Sequence, residues 1–171
     1  MSVRAKELAA RFEQINQDVI DRVSGATDLS VPCPSEGWTA AAVAAHIGGA
    51  HRGILERLIQ PIIAGQEVPS TVGPSDEGNA RQATENAALP QDQILTLLRD
   101  HGAMAAAYLR TLSDADLDRT VILPVFGENP VTVQQVIEWV LIGHAADHAN
   151  SLQQGLGQTA GHAHDWQESL A

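Results

Sequence analysis

Apolar side chains return at steps of three and four residues in four separate stretches of this chain. That period commits each stretch to a helix with one face turned inward. The first covers residues 3 to 24, where Leu8, Phe12, Ile15, Val19 and Val23 share a face and Ser24-Gly25 closes the run. The second opens at Trp38-Thr39, with Thr39 as N-cap, and its stripe is Val43, His46, Ile47, Ala50, Ile54 and Leu58. Pro61 should kink or end it, because proline removes an internal hydrogen bond. The third runs from Pro90, suited to a first helical turn, through Ile94, Leu98, His101, Ala105 and Tyr108 to Leu112. The fourth begins at Thr132-Val133-Gln134-Gln135, which has capping-box spacing, and stops near Gly155 or Gly157.

The segments between are less regular. Residues 26 to 38 read as a loop with Pro32 and Pro34, and residues 65 to 79 as a long one rich in Gly, Pro, Ser and Asp. Neither part flanking the long loop has a full core of its own, so it belongs inside one domain and could cover a site. A short helix is expected from Ala80 to about Ala88, a cap and turn at Ser113–Asp116, an extended segment over 119–126, and a turn at Gly127-Glu128-Asn129-Pro130. Four long helices in 171 residues predict an all-α fold, an antiparallel four-helix bundle with a long loop after the second helix and a short extended segment before the fourth. The domain spans 1–157, and a polar tail follows over 158–171. Aromatic residues are only 4%, so Ala, Leu, Ile and Val must fill the core, which favours close helix packing.

Charge narrows the partners. Ten basic against 21 acidic side chains leave a formal net charge of -11, and no basic cluster is present. Binding to a phosphate backbone needs such a cluster, so nucleic acid and anionic membrane surfaces are not expected partners. A single cysteine, Cys33, excludes an internal disulfide and a Cys-rich zinc site. The N-terminal residues lack an apolar signal core, and no apolar run approaches the ~18 residues of a membrane span, so the expected location is the cytoplasm.

The inward stripe of the fourth helix is Val133, Val136, Ile137, Val140, Leu141, His144, His148 and Leu152: two histidines one turn apart continue it. Imidazoles placed there lose their hydration, and both ring nitrogens need partners. His46 points the same way from the second helix. Three histidines from two helices suit a metal centre with one coordination position left for a reactant. The alternative is that they are core histidines bonded to backbone or water. No His-Glu-x-x-His, Glu-x-x-His, Gly-x-Ser-x-Gly or Gly-Lys-Ser/Thr pattern occurs. His101, on the edge of the third stripe, could line the pocket or be a fourth ligand, and a capped or water-bonded interface histidine is the favoured reading. His51, about 140° around the helix from His46, is expected to be exposed or at a dimer contact. His162 and His164 lie in the tail, and a buried or idle role is read for Cys33. Asp147 reads as a surface carboxylate.

Glu36-Gly37-Trp38-Thr39 followed by Val43-Ala44-Ala45-His46-Ile47 resembles the start of the second helix in the DinB/YfiT-like metalloenzyme superfamily. His144-Ala145-Ala146-Asp147-His148 resembles its C-terminal His-x-x-x-His. Asp116-Leu117-Asp118-Arg119 and Gly78-Asn79-Ala80 resemble segments of the mycothiol-dependent maleylpyruvate isomerase branch. The resemblance spans about Phe12 to Gly155 and rests on the order and spacing of these motifs. It implies a four-helix bundle holding one divalent metal by His46, His144 and His148, in a homodimer. The isomerase branch tends to carry Glu where this chain has His144, so this residue matches the broader superfamily. Trp38 and Asn79 become candidates for substrate contact, with His101 lining the pocket.

The function these readings imply is a divalent-metal-dependent enzyme for a small-molecule substrate. Its expected reaction is that of an S-transferase or isomerase using a low-molecular-weight thiol of the mycothiol, bacillithiol or glutathione type. Zinc is the default ion, and nickel, iron and manganese also accept imidazole ligands. Competing readings are a hydrolase on the same site, a noncatalytic small-molecule or stress-response binding bundle, and a bundle whose metal is purely structural.

Overall fold

The computed structural model describes residues 2–68 and 76–157. Helix α1 (Val3–Gly25) is capped by Ser2, whose Oγ accepts from the Ala5 amide at 3.2 Å. Helix α2 (Ala40–Ile54) runs on through a π-helical stretch, Leu55–Ile59, into α3 (Gln60–Ile63). Pro61 therefore does not end the run. A π stretch interrupts the regular helix just ahead of it, and helical backbone continues to Ile63. Helix α4 (Asp76–Asn86) starts four residues before the expected Ala80. Helices α5 (Gln91–Thr111) and α6 (Asp114–Asp118) follow. Of the expected long loop, residues 69–75 lie outside the described part, as does the tail from 158 onward with His162 and His164.

The extended segment before the last helix pairs as a small ladder, β1 (Thr120–Val121) antiparallel to β2 (Val131–Thr132), with Thr120 opposite Thr132. Thr132 then caps the final helical run. Its Oγ1 accepts from the Gln135 amide at 3.2 Å, and the Gln135 side chain accepts from the Thr132 amide at 2.8 Å, so the capping box is present. The run comprises α7 (Val133–Val136), a π-helical stretch (Ile137–Gly143) and α8 (His144–Gly157). The π stretch takes an extra residue per turn and shifts the phase of the inward face. Ile142, off the stripe read from the sequence, is accordingly 4% exposed.

The four long helical runs make a four-helix bundle. Helices α1 and α2 each pack against both α5 and α8, which puts α1 and α2 on one diagonal. Backbones approach closely where α2 crosses α5: a Cβ on Gly48 would lie 3.1 Å from Leu97 Cβ and 3.2 Å from the Leu98 amide nitrogen. The apolar interior has two parts. One gathers Phe12, Leu55, Leu109, Ile137 and Leu141, the other Val19, Ile47, Ile94, Leu98 and Leu152. The two clusters part at Asn16 on α1, His51 on α2 and His144 on the last run.

Candidate metal centre

His46 enters the bundle from an alanine-rich first half of α2, where Ala40 to Ala45 are all buried and side chains are short enough to admit an imidazole. The entry of this helix is fixed by Thr39. Its hydroxyl accepts from the Ala42 amide at 3.2 Å and donates to the Ala87 carbonyl at 2.9 Å, joining the start of α2 to the chain after α4. His144 is the first residue of α8, where the π stretch ends, and His148 stands one turn later.

The three rings converge. His46 Nε2 and His144 Nε2 are 3.0 Å apart, and one ligand-capable nitrogen from each of His46, His144 and His148 lies within 4.8 Å of the others. Ring centroids are separated by 5.0, 4.9 and 4.5 Å. For a tetrahedral ion with nitrogen ligands at about 2.0–2.1 Å, ligand atoms stand roughly 3.3 Å apart, so only small side-chain shifts separate this group from a coordination shell.

Outer contacts settle which nitrogens are free. His46 Nδ1 donates to Gln82 Oε1 at 3.0 Å, and His148 Nδ1 donates to Glu36 Oε1 at 2.6 Å. Both leave Nε2 bare for a ligand. Glu36 also accepts from the Ser151 hydroxyl through its other oxygen. This carboxylate–histidine arrangement is what holds ligand imidazoles in one tautomer and orientation. Trp38 walls the site, edge-on to His46 at 5.5 Å and stacked with His148 at 6.5 Å.

Electrostatics favour the neutral rings that can ligate. Burial pushes His144 down to about 3, with the neighbouring His148, His46 and His51 acting in the same direction. Burial also lowers His46, against the opposing hydrogen bond to Gln82. The donor set therefore fits a divalent ion: three converging imidazoles, His46 and His144 kept neutral by burial, and His46 and His148 held by outer acceptors.

The remaining residues singled out in the sequence fall elsewhere. His101 donates its Nδ1 proton to the Gly48 carbonyl at 2.8 Å and ties α5 to α2; the structure does not bring it to the three converging rings. Asn79 is half-buried on α4, and Gln82, one turn along, is the residue that reaches His46. Asp147 is exposed. Cys33 is fully buried, and that burial, with Glu36 nearby, pushes its thiol up to about 11. His51 corrects the expectation of exposure: it is 1% exposed, on the bundle diagonal against Phe12 and Asn16. Its angular offset from His46 pointed it toward the opposite helix and not toward solvent. Glu36, Gln82 and Ser151 carried no role in the sequence reading. Ser151 had a usable signal, three residues after His148 on the same face. Glu36 and Gln82 approach from a loop and a short helix, where no periodicity marks an inward side chain.

No helix among the described residues is long and apolar enough to cross a membrane. The DinB superfamily model matches residues 3–152, and the chain belongs to that superfamily. Among solved structures, it is similar to YfiT from Bacillus subtilis, described as a probable metal-dependent hydrolase with an unusual four-helix bundle topology. That match has 21% identity and a TM-score of 0.68, over 92% of this chain and 90% of that one. It is also similar to the mycothiol-dependent maleylpyruvate isomerase, at 18% identity and a TM-score of 0.66, and to a histidine-to-alanine mutant of that enzyme, at 17% and 0.68. Each isomerase match covers 89% of this chain but 63% of the other, so this chain accounts for less than two thirds of the isomerase's length. At these identities the likeness is one of fold. No curated protein matches the sequence.

Proposed function

We propose that this protein is a divalent-metal-dependent enzyme acting on a small molecule, with a low-molecular-weight thiol as cosubstrate. The observation that supports it is the convergence of His46, His144 and His148, with the outer nitrogens of His46 and His148 already occupied by Gln82 and Glu36. A divalent ion held there would supply Lewis-acid polarisation and make the proton of a coordinated thiol or water more acidic. The chain itself supplies position. Gln82 and Glu36 hold two of the rings, and Trp38 keeps water from one side. His148 retains 18% side-chain exposure, which leaves an approach from solvent.

The lone thiol of the protein cannot serve as nucleophile, since Cys33 is buried and its ionisation is suppressed. A thiol taking part in the reaction would then arrive with the reactants, which is what a thiol cosubstrate provides. A second reading, hydrolysis with water as nucleophile, is favoured by the fuller coverage of the probable hydrolase, 90% of its chain against 63% of the isomerase.

Elemental analysis of untagged, metal-replete protein tests the first requirement. About one equivalent of a divalent metal is expected, removable by chelator and lost in His46→Ala. Metal well below stoichiometry in the wild type would end the proposal. Paired assays then separate the two readings: thiol consumption with an electrophile, and ester or amide cleavage without thiol, each against the His46→Ala control.

A further inference from the structure

Among the described residues, two buried side-chain nitrogens have no hydrogen-bond partner: His144 Nδ1 and His51 Nδ1. Both sit in the same cross-section of the bundle. On α1 the two apolar clusters part at Asn16, between Phe12 and Val19; on α2 they part at His51, between Ile47 and Leu55. On α5 they part around Gly102, between Leu98 and Ala105, and on the last run at His144, between Leu141 and Ala145. The two clusters thus part at one level on all four helices, where Asn16, His51 and His144 bring polar side chains and His51 is close enough to His144 to act on it electrostatically.

Hydrogen-bond chemistry fixes the tautomers at this level. The Leu98 carbonyl can only accept, so Asn16 Nδ2 is the donor in their 3.0 Å contact and Asn16 Oδ1 faces His51. That oxygen can only accept, so His51 Nε2 carries the proton in the 2.9 Å bond between them. Burial keeps the His51 ring neutral, its pKa pushed down to about 3. His51 Nδ1 is therefore a bare acceptor in need of a donor. His144 presents the complement: a ring whose Nε2 ligates a metal must carry its proton on Nδ1.

We propose that His51, braced by Asn16, is the positioning residue for His144. In this arrangement His144 Nδ1–H donates, across one buried water, toward His51 Nδ1. His51 Nε2–H then donates to Asn16 Oδ1, and Asn16 Nδ2–H to the Leu98 carbonyl. Every donor points away from the metal centre, and His144 gains the outer partner that Gln82 gives His46 and Glu36 gives His148. The water resolves two costs together, because an unpaired buried donor and an unpaired buried acceptor each destabilise the fold.

The inference rests on the metal-binding reading, and its test separates the two. In zinc-loaded wild-type protein, imidazole 15N NMR should show His51 protonated at Nε2 and His144 at Nδ1. His51 protonated at Nδ1 overturns the relay without any substitution. Chelator competition with zinc should show affinity falling about 10- to 100-fold in His51→Leu. In His51→Gln, which restores a donor and an acceptor, it should stay near the wild-type value. Equal zinc affinity in wild type and His51→Leu overturns the relay while leaving the metal centre standing. Failure of the wild type to take up zinc removes the metal reading itself, and the relay with it.

Discussion

Gly102→Ala sets a sequence rule against the tertiary structure. Gly102 lies inside α5, where exchanging glycine for alanine ordinarily stabilises a helix by about 1 kcal/mol. Here the added Cβ would stand 2.2 Å from Asn16 Nδ2 and 2.9 Å from Asn16 Cγ. Ordinary contact begins near 3.4 Å, so the amide must retreat by more than an ångström. Asn16 is 7% exposed and is held at 2.9 Å to His51 and 3.0 Å to the Leu98 carbonyl, so no such retreat keeps both bonds. Overpacking costs about 1–3 kcal/mol, and buried groups left unpaired about 1–3 kcal/mol each. With one group left unpaired and set against the propensity gain, the net is a loss of roughly 1–5 kcal/mol, and at about 2–4 °C per kcal/mol for a chain this size the midpoint should fall by about 2–20 °C. Urea and thermal unfolding of the metal-free variant measure it. A variant as stable as wild type, or more so, would show that Asn16 is not braced as described.

Glu36→Ala should weaken metal binding by about 10- to 100-fold, with Glu36→Gln intermediate because an acceptor for His148 Nδ1 survives; chelator competition reads both, and unchanged affinity in Glu36→Ala would show that the contact is idle. Metal-free protein should lose stability as the pH falls below about 6.5. His51 and His144 take up protons near 6.5 when unfolded but only near 3 in the fold, so the unfolded chain holds more protons between those values. Stability is fully present above 6.5 and drains at up to about 1.4 kcal/mol per pH unit for each ring. Asp114, Asp116 and Asp118, lowered from 3.8, add to the loss only at lower pH. Urea midpoints that stay level from pH 7 to pH 5 would contradict this. Thr132→Ala removes the cap of the run that carries two of the histidines and should cost about 0.5–2 kcal/mol in urea unfolding, a change absent if the capping box contributes nothing.

The resemblance to a known superfamily and the helical periods both pointed to the bundle, and local rules were read correctly where their causes are local. Thr39 and Thr132 cap the helices assigned to them, because capping depends on residues three positions apart. His46, His144 and His148 were legible for a similar reason: each lies on an apolar stripe, and a stripe must face inward. Of the two outcomes expected at Pro61, a kink or an end, the run does not end there: a π stretch interrupts the regular helix just before it, and helical backbone stops two residues later at Ile63. Gln82 stayed hidden because its helix is mostly polar and its place beside His46 depends on the packing of α4 against α2. Glu36 stayed hidden because a loop carboxylate looks solvated until a fold covers it.

Period and capping are encoded within a few residues, so the amino-acid order by itself determined which long segments are helical and that His46, His144 and His148 lie on apolar stripes. It did not mark His51 or Ile142 as buried, and it could not determine how those faces meet. The 3.0 Å approach of His46 to His144, the meeting of His51 with Asn16 across the bundle and the capture of His148 by Glu36 join residues 98, 35 and 112 positions apart. Such contacts are set by the crossing of whole helices, and only the packed structure decides them.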